Sequence, residues 1–107
     1  MSWIIFKNLI LNKLPKDVQK LVPPERDFFG KVPAWFFLDE VGAKGDSLGN
    51  IKIADFHGNL FINLGKGKAE DFYSLAKKYF DKVKDKFGIS LEPEVQLINL
   101  PPFKNPL

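Results

Sequence analysis

Residues 69–88 read AEDFYSLAKKYFDKVKDKFG, and this stretch decides the fold. Apolar residues fall at 72, 75, 76, 79, 80, 83 and 87, a stripe of helical period, with lysines and aspartates filling the opposite face. Glu70 and Asp71 stand in the first turn and Lys84 and Lys86 in the last, the arrangement that complements a helix dipole. Gly88 follows as a cap, so the spacing predicts one long amphipathic helix over 69–87. Such a helix must lay its stripe on another layer, and the aromatic side chains Phe72, Tyr79, Phe80 and Phe87 read as core.

Toward the N-terminus, 59–64 and 50–54 read as two strands joined by Asp55-Phe56-His57-Gly58. The segment 42–49, Gly-Ala-Lys-Gly-Asp-Ser-Leu-Gly, is a glycine-punctuated loop. Before it, Ala34 to Val41 predicts a short apolar helix with Pro33 in its first turn and Gly42 as a left-handed stop. Residues 23–32 read as loop with Gly30 as a turn residue. Residues 15–22 predict a short helix with Val18, Leu21 and Val22 on one face, ended by Pro23-Pro24. Residues 3–7 predict a buried strand and 91–98 a final one. The expectation is an α+β fold, a small and largely antiparallel sheet with helices packed on one face. The domain is expected to run over 1–99, and 100–107 to form a proline-rich tail.

At 107 residues the chain fits one domain, and 45% hydrophobic residues with 11 Phe suffice for a packed core. The absence of cysteine excludes disulfides, thiolate catalysis and cysteine-based zinc or iron–sulfur sites, and it fits a cytoplasmic protein. No metal site is expected. No apolar run approaches the roughly 20 residues of a membrane span. Lys7 and Asn8 interrupt the apolar stretch 3–11, and no small-residue cleavage site follows it, so a signal peptide is rejected. The 16 basic residues include a single arginine, Arg26, although the net charge is +3. Sequence-specific nucleic-acid readers rely on Arg, and scattered lysines mark a solvated surface, so nucleic acid is not the expected partner. The Lys-heavy, Cys-free composition points to a thermophile.

Candidate chemistry is sparse. His57 is the one histidine, and nothing along the chain places Ser47 or Ser74 beside it as a nucleophile. A ligand contact and an exposed turn residue are equal readings of His57. In Glu92-Pro93-Glu94 the period of two puts both carboxylates on one strand face, where one could serve as a general acid or base and an exposed strand end is the alternative. The loop 42–49 has neither the Walker spacing nor Gly-x-Gly-x-x-Gly between a strand and a helix.

Taken together, several of these segments resemble one family. The run comprises Ala34, then Leu38-Asp39-Glu40-Val41-Gly42-Ala43-Lys44-Gly45 and Gly49. It continues through His57-Gly58-Asn59-Leu60-Phe61-Ile62-Asn63, Gly65 and Ala69-Glu70-Asp71. Lys86-Phe87-Gly88-Ile89 and Leu91-Glu92-Pro93-Glu94-Val95 close it, and the spacing holds without gaps from 34 to 71. This pattern resembles the C-terminal, substrate-binding domain of UDP-N-acetylenolpyruvoylglucosamine reductase, the flavoenzyme of peptidoglycan precursor synthesis. Ile5-Phe6-Lys7-Asn8-Leu9 falls where that domain opens with Gly-Ser-x-Phe-Lys-Asn-Pro, and 9–32 resembles the longer insertion of some members.

The resemblance implies roles. Lys7, Asn8, His57 and Asn59 match substrate-binding positions, and Glu94 matches a catalytic glutamate that can act only if a flavin partner exists. The implied ligand is a UDP-sugar; FAD and NADPH would enter only through a partner flavin domain. Several positions depart from the pattern. The catalytic serine maps to Ile4, which has no proton to donate, and Ser2 is displaced by roughly 7 Å along a strand. Gly49-Asn50-Ile51 replaces a Gly-Gly-Ala, Ser47 and Gln96 stand where arginines are usual, and Phe56 replaces a lysine. The flavin-binding part has no counterpart in these residues, and Met1 stands where the third domain would begin. The chain is therefore expected to be non-catalytic by itself, a stand-alone relative or split part of the substrate-binding domain. The alternative is a degenerate domain serving protein interaction or self-association.

Overall fold

The computed structural model describes residues 2–94. The elements run β1 (Ser2–Ile4), β2 (Leu9–Ile10), α1 (Lys16–Gln19), β3 (Lys31–Val32), α2 (Ala34–Glu40), β4 (Ser47–Leu48), β5 (Ile51–Ile53), β6 (Leu60–Asn63) and α3 (Ala69–Phe87). Single 3-10 turns lie at Leu11–Lys13 and Pro24–Arg26.

The main sheet has the order β1-β6-β5-β4, with every neighbour antiparallel. Trp3 pairs with Phe61, and Phe61 with Ile53, so these three side chains share one face. Helix α3 covers that face. Phe72 meets Trp3 edge-on at 5.4 Å between ring centroids and Phe61 at 5.8 Å. The buried residues of α3 are Phe72, Leu75, Ala76, Tyr79, Phe80, Val83 and Phe87, the same seven that form its apolar stripe. Each contributes about 1.5–3 kcal/mol on full burial if it is a large aliphatic or aromatic side chain. Phe37 of α2 packs edge-on against Phe87 at 5.1 Å and locks the two helices together. The α+β architecture expected from sequence is thus the one observed.

The opposite face of the sheet is uncovered by any described helix. Ile4 pairs with Leu60 on that face and is 42% exposed.

Local details differ from expectation. Pro33 precedes α2 in extended conformation (φ −66°, ψ 139°) and does not enter its first turn. The helix expected over 15–22 is one turn, Lys16–Gln19; Val18 is buried, but Leu21 is exposed because the chain has left the helix before reaching it. Within 23–32 lies β3, which pairs with β2 as a separate ribbon. The loop 42–49 contains β4. The strand expected over 3–7 ends at Ile4, and Phe6 instead makes an isolated antiparallel bridge with Pro93. Residues 95–98 of the expected last strand, Gln96 and the tail 100–107 lie outside the described residues. Among the described residues no helix is long and apolar enough to cross a membrane.

Candidate functional site

Three segments far apart in the chain meet at the end of β1. Ile5 N–H donates to the Asn59 carbonyl at 3.2 Å, and the Ile5 carbonyl accepts from Glu94 N–H at 2.6 Å. Lys7 N–H donates to the Glu92 carbonyl at 2.8 Å. The opening motif therefore lies between the segment ending in Asn59 on one side and 92–94 on the other.

Asn59 is the lock. Its side chain is buried; Oδ1 accepts Phe6 N–H at 2.9 Å and Nδ2 donates to the Phe6 carbonyl at 3.0 Å. A buried amide is engaged here through both its oxygen and its nitrogen, by backbone just past the end of β1. In this geometry Asn59 fixes the backbone that carries Lys7 and Asn8.

Lys7 and Asn8 are exposed and line an open groove of about 570 Å³. Lys13, Ser90 and Glu92 add polar groups to it, and Leu9, Ile10, Leu14 and Ile89 supply apolar wall. Glu94 is exposed and lies beyond the groove lining, one residue past the Phe6–Pro93 bridge and beside Ile5. The two carboxylates of Glu92-Pro93-Glu94 thus serve different neighbours.

His57 sits half-buried in the turn before β6. Its Nδ1 accepts Asn59 N–H at 3.2 Å, and its ring meets Trp35 at 6.2 Å between centroids. An imidazole that accepts at Nδ1 carries its hydrogen at Nε2, so the donor edge is the one left for a ligand. The adjacent Gly58 lies flush on α2: a Cβ there would collide with the Asp39 carboxylate. Asp39 Oδ2 pairs with Lys44 at 3.3 Å, and its Oδ1 is buried with no hydrogen-bond partner among the described residues.

The loop 42–49 is tied down from α3. Asp46 Oδ2 accepts from Tyr79 Oη at 2.5 Å and from Lys78 Nζ at 2.8 Å. The Lys78 ammonium and the Tyr79 hydroxyl hold the Asp46 carboxyl down at about 2. Burial, with the carboxylate beside it, pushes the Tyr79 hydroxyl up. This network escaped sequence reasoning because nothing local pairs residue 46 with 79. The loop also leads from a helix into a strand, so it lacks the strand-to-helix geometry that cradles dinucleotide phosphates. Among the described residues no group of three or more His, Cys, Asp or Glu could hold a metal ion.

The fold and groove define a small α+β domain: an antiparallel sheet, one covering helix, and a polar cleft beside the opening strand. The family model for UDP-N-acetylenolpyruvoylglucosamine reductase, C-terminal domain, matches residues 4–98, and the chain belongs to that family. It is 44% identical over 94 residues to the UDP-N-acetylenolpyruvoylglucosamine reductase of Solibacter usitatus, covering 88% of this chain and 30% of that protein. It is 40% identical over 80 residues to the reductase of Trichlorobacter lovleyi, covering 72% and 26% respectively. Against the reductase of Caldicellulosiruptor bescii it is 39% identical over 84 residues, covering 78% and 24%. The chain spans less than a third of the length of these curated relatives.

Proposed function

We propose that residues 1–99 are the substrate-binding part of a UDP-N-acetylenolpyruvoylglucosamine reductase, non-catalytic alone and acting in the cytoplasm on a UDP-sugar. The observation that carries this reading is the clamp at Phe6. Asn59 and the 92–94 segment hold Lys7, Asn8 and the backbone of Glu94 in one neighbourhood, although they are distant in sequence. Lys7 and Asn8 present a cation and an amide to an anionic ligand in the groove; His57 lies outside the groove lining, against Trp35, and would meet the ligand only from beyond it. Glu94 stands beside the strand end that carries Ile4, where it would assist proton movement at the substrate.

FAD, reduced by NADPH, would supply the hydride. The described residues do not fit FAD: the groove is open, and the loop 42–49 runs from helix to strand, so no helix N-terminus backs it for a pyrophosphate. A second, flavin-bearing polypeptide segment would have to hold it. Calorimetric titration with UDP-N-acetylglucosamine tests ligand binding, with binding expected for the native chain and lost in Lys7→Ala/Asn8→Ala. No heat at millimolar ligand removes the nucleotide-sugar reading. With a flavin-domain chain supplied, NADPH oxidation dependent on the enolpyruvyl substrate should appear and rise in Ile4→Ser.

A second reading has its own observation. The uncovered sheet face carries Ile4, Leu60 and Ile62 beside Ser2 and Lys52, and exposed apolar residues of this kind serve association. If the domain is an interaction or oligomerisation module, sedimentation will show self-association. A monomer at high concentration ends that reading.

A further inference from the structure

The ribbon formed by β2 and β3 ends in an apolar tip that faces outward. Ile10 pairs with Lys31, and Phe28 bridges to Lys31 across the turn, so these three side chains share one face. Leu9 and Val32 take the other face and pack into the core, which leaves Ile10 45% and Phe28 52% exposed. Phe29, at the point of the turn, is fully exposed. Hydrogen bonds hold the tip in shape. Phe28 and Lys31 exchange both backbone bonds, Gly30 N–H donates to Asp27 Oδ1 at 2.7 Å, and the Gly30 carbonyl accepts Leu11 N–H at 2.9 Å. Phe29 takes φ +56° there, a conformation that costs a bulky aromatic residue energy.

A strained backbone that displays an apolar ring to water works against stability twice, and such outliers collect where binding needs them. The charge around the tip indicates the partner. Residues 7–31 hold six basic residues against three acidic, whereas the rest of the chain balances ten against ten, so the whole excess of +3 resides in this segment. Lys13, Lys16, Lys20 and Lys31 are exposed, and the ion pairs among the described residues take their lysines from elsewhere. Two consecutive phenylalanines backed by unpaired cations suit a surface that is negative outside and apolar beneath. A protein partner would have to offer a recess shaped for both rings, whereas the headgroup region of a bilayer parts around them.

We infer that this tip is a docking prong for an anionic lipid surface. Phe28 and Phe29 enter the headgroup region, Ile10 follows on the face of Phe28, and Lys31 between them meets the anionic headgroups. Lys13, Lys16 and Lys20 add attraction at longer range. The contact is peripheral, in keeping with the absence of a membrane-spanning helix among the described residues. It is independent of what the groove binds.

The test is co-sedimentation of the full 107-residue chain with vesicles of phosphatidylglycerol and phosphatidylcholine in equal parts, against vesicles of phosphatidylcholine alone. Binding is expected to the anionic vesicles, and added salt is expected to weaken it. Phe29→Asn should weaken it at least ~10-fold by removing the inserted ring. Lys31→Glu should weaken it at least ~5-fold by reversing a charge at the surface. Near-ultraviolet circular dichroism of Trp3, packed on Phe72, reports that each variant is folded. Phe29→Trp adds a direct readout: brominated acyl chains should quench the new indole and leave the emission of Trp3 and Trp35 in the native chain unchanged. A native chain that stays in solution at millimolar anionic lipid overturns the prong. So does equal binding by the folded Phe29→Asn chain, which would make the attraction one of charge alone, and so does an unquenched Phe29→Trp chain on the vesicle. Self-association that Phe29→Asn abolishes, without vesicle binding, assigns the tip to a second copy and overturns the lipid assignment.

Discussion

Asn59 closes two hydrogen bonds on the backbone of Phe6, one through each atom of its amide, across 53 residues of chain. Replacing it with Ala removes both hydrogen bonds to buried backbone, which costs about 2–4 kcal/mol. Urea denaturation of Asn59→Ala should show that loss as a lower midpoint at unchanged slope. Asn59→Asp should lose more, because an ionised oxygen would face the Phe6 carbonyl where Nδ2 now donates.

The Asp46–Tyr79–Lys78 network predicts a pH dependence. The folded-state carboxyl sits at about 2 against an ordinary 3.8, depressed first by the Lys78 hydrogen bond and then by that of Tyr79. A depressed carboxyl stabilises the fold above the ordinary value, and that stability is lost as pH falls from about 4 toward 2. Asp46 is partly exposed, so after solvent screening Asp46→Asn should cost about 1–2 kcal/mol at pH 7. The gap between the two proteins, read by denaturation at a series of pH values, should close by pH ~2. A gap independent of pH would falsify the ion-pair account.

Gly58 faces the Asp39 carboxylate so closely that a methyl group has no room. Gly58→Ala must displace the Asp39 carboxylate, whose other oxygen pairs with Lys44, at about 1–3 kcal/mol. A drop in melting temperature, with a moved His57 ring resonance, is the expected result. An unshifted His57 signal would show that the turn yields elsewhere.

Phe29 adopts φ +56° and Gly30 φ +87° in the two-residue turn between Phe28 and Lys31. Left-handed backbone at both central positions suits Asn or Gly, not an aromatic residue. Phe29 is fully exposed and contributes no core contact. Phe29→Asn should therefore stabilise the domain by about 0.5–1 kcal/mol, measured by thermal unfolding. A loss of stability would mean that Phe29 packs on something in solution.

Ile4 lies on the uncovered face of an edge strand. Ile4→Ser should change stability by less than about 1 kcal/mol, so the variant that restores a hydroxyl at this position stays folded for the activity test. Far-UV circular dichroism and a melting curve check this directly.

Helix α3 was legible from its own residues, because nineteen positions carry five turns of periodic burial, acidic and basic ends and a terminal Gly88 in the left-handed region. The strands β5 and β6 and the stop at Gly42 were legible for the same local reason. β2, β3 and β4 were not. Each spans two residues, too short for any period, and exists only because a distant partner supplies its hydrogen bonds. Leu21 belonged by pattern to a buried face, yet the helix ends before it.

What the amino-acid order determined by itself is the α+β class, the family and the buried stripe of α3, since these follow from patterns within a few turns of chain and from motif spacing. Tertiary structure alone decided what the polar residues do. It turned Asn59 into a backbone clamp, joined Asp46 to Tyr79, and set Arg26 and His57 on one indole. Such contacts depend on where chain closure brings distant side chains, and local sequence carries no record of that geometry.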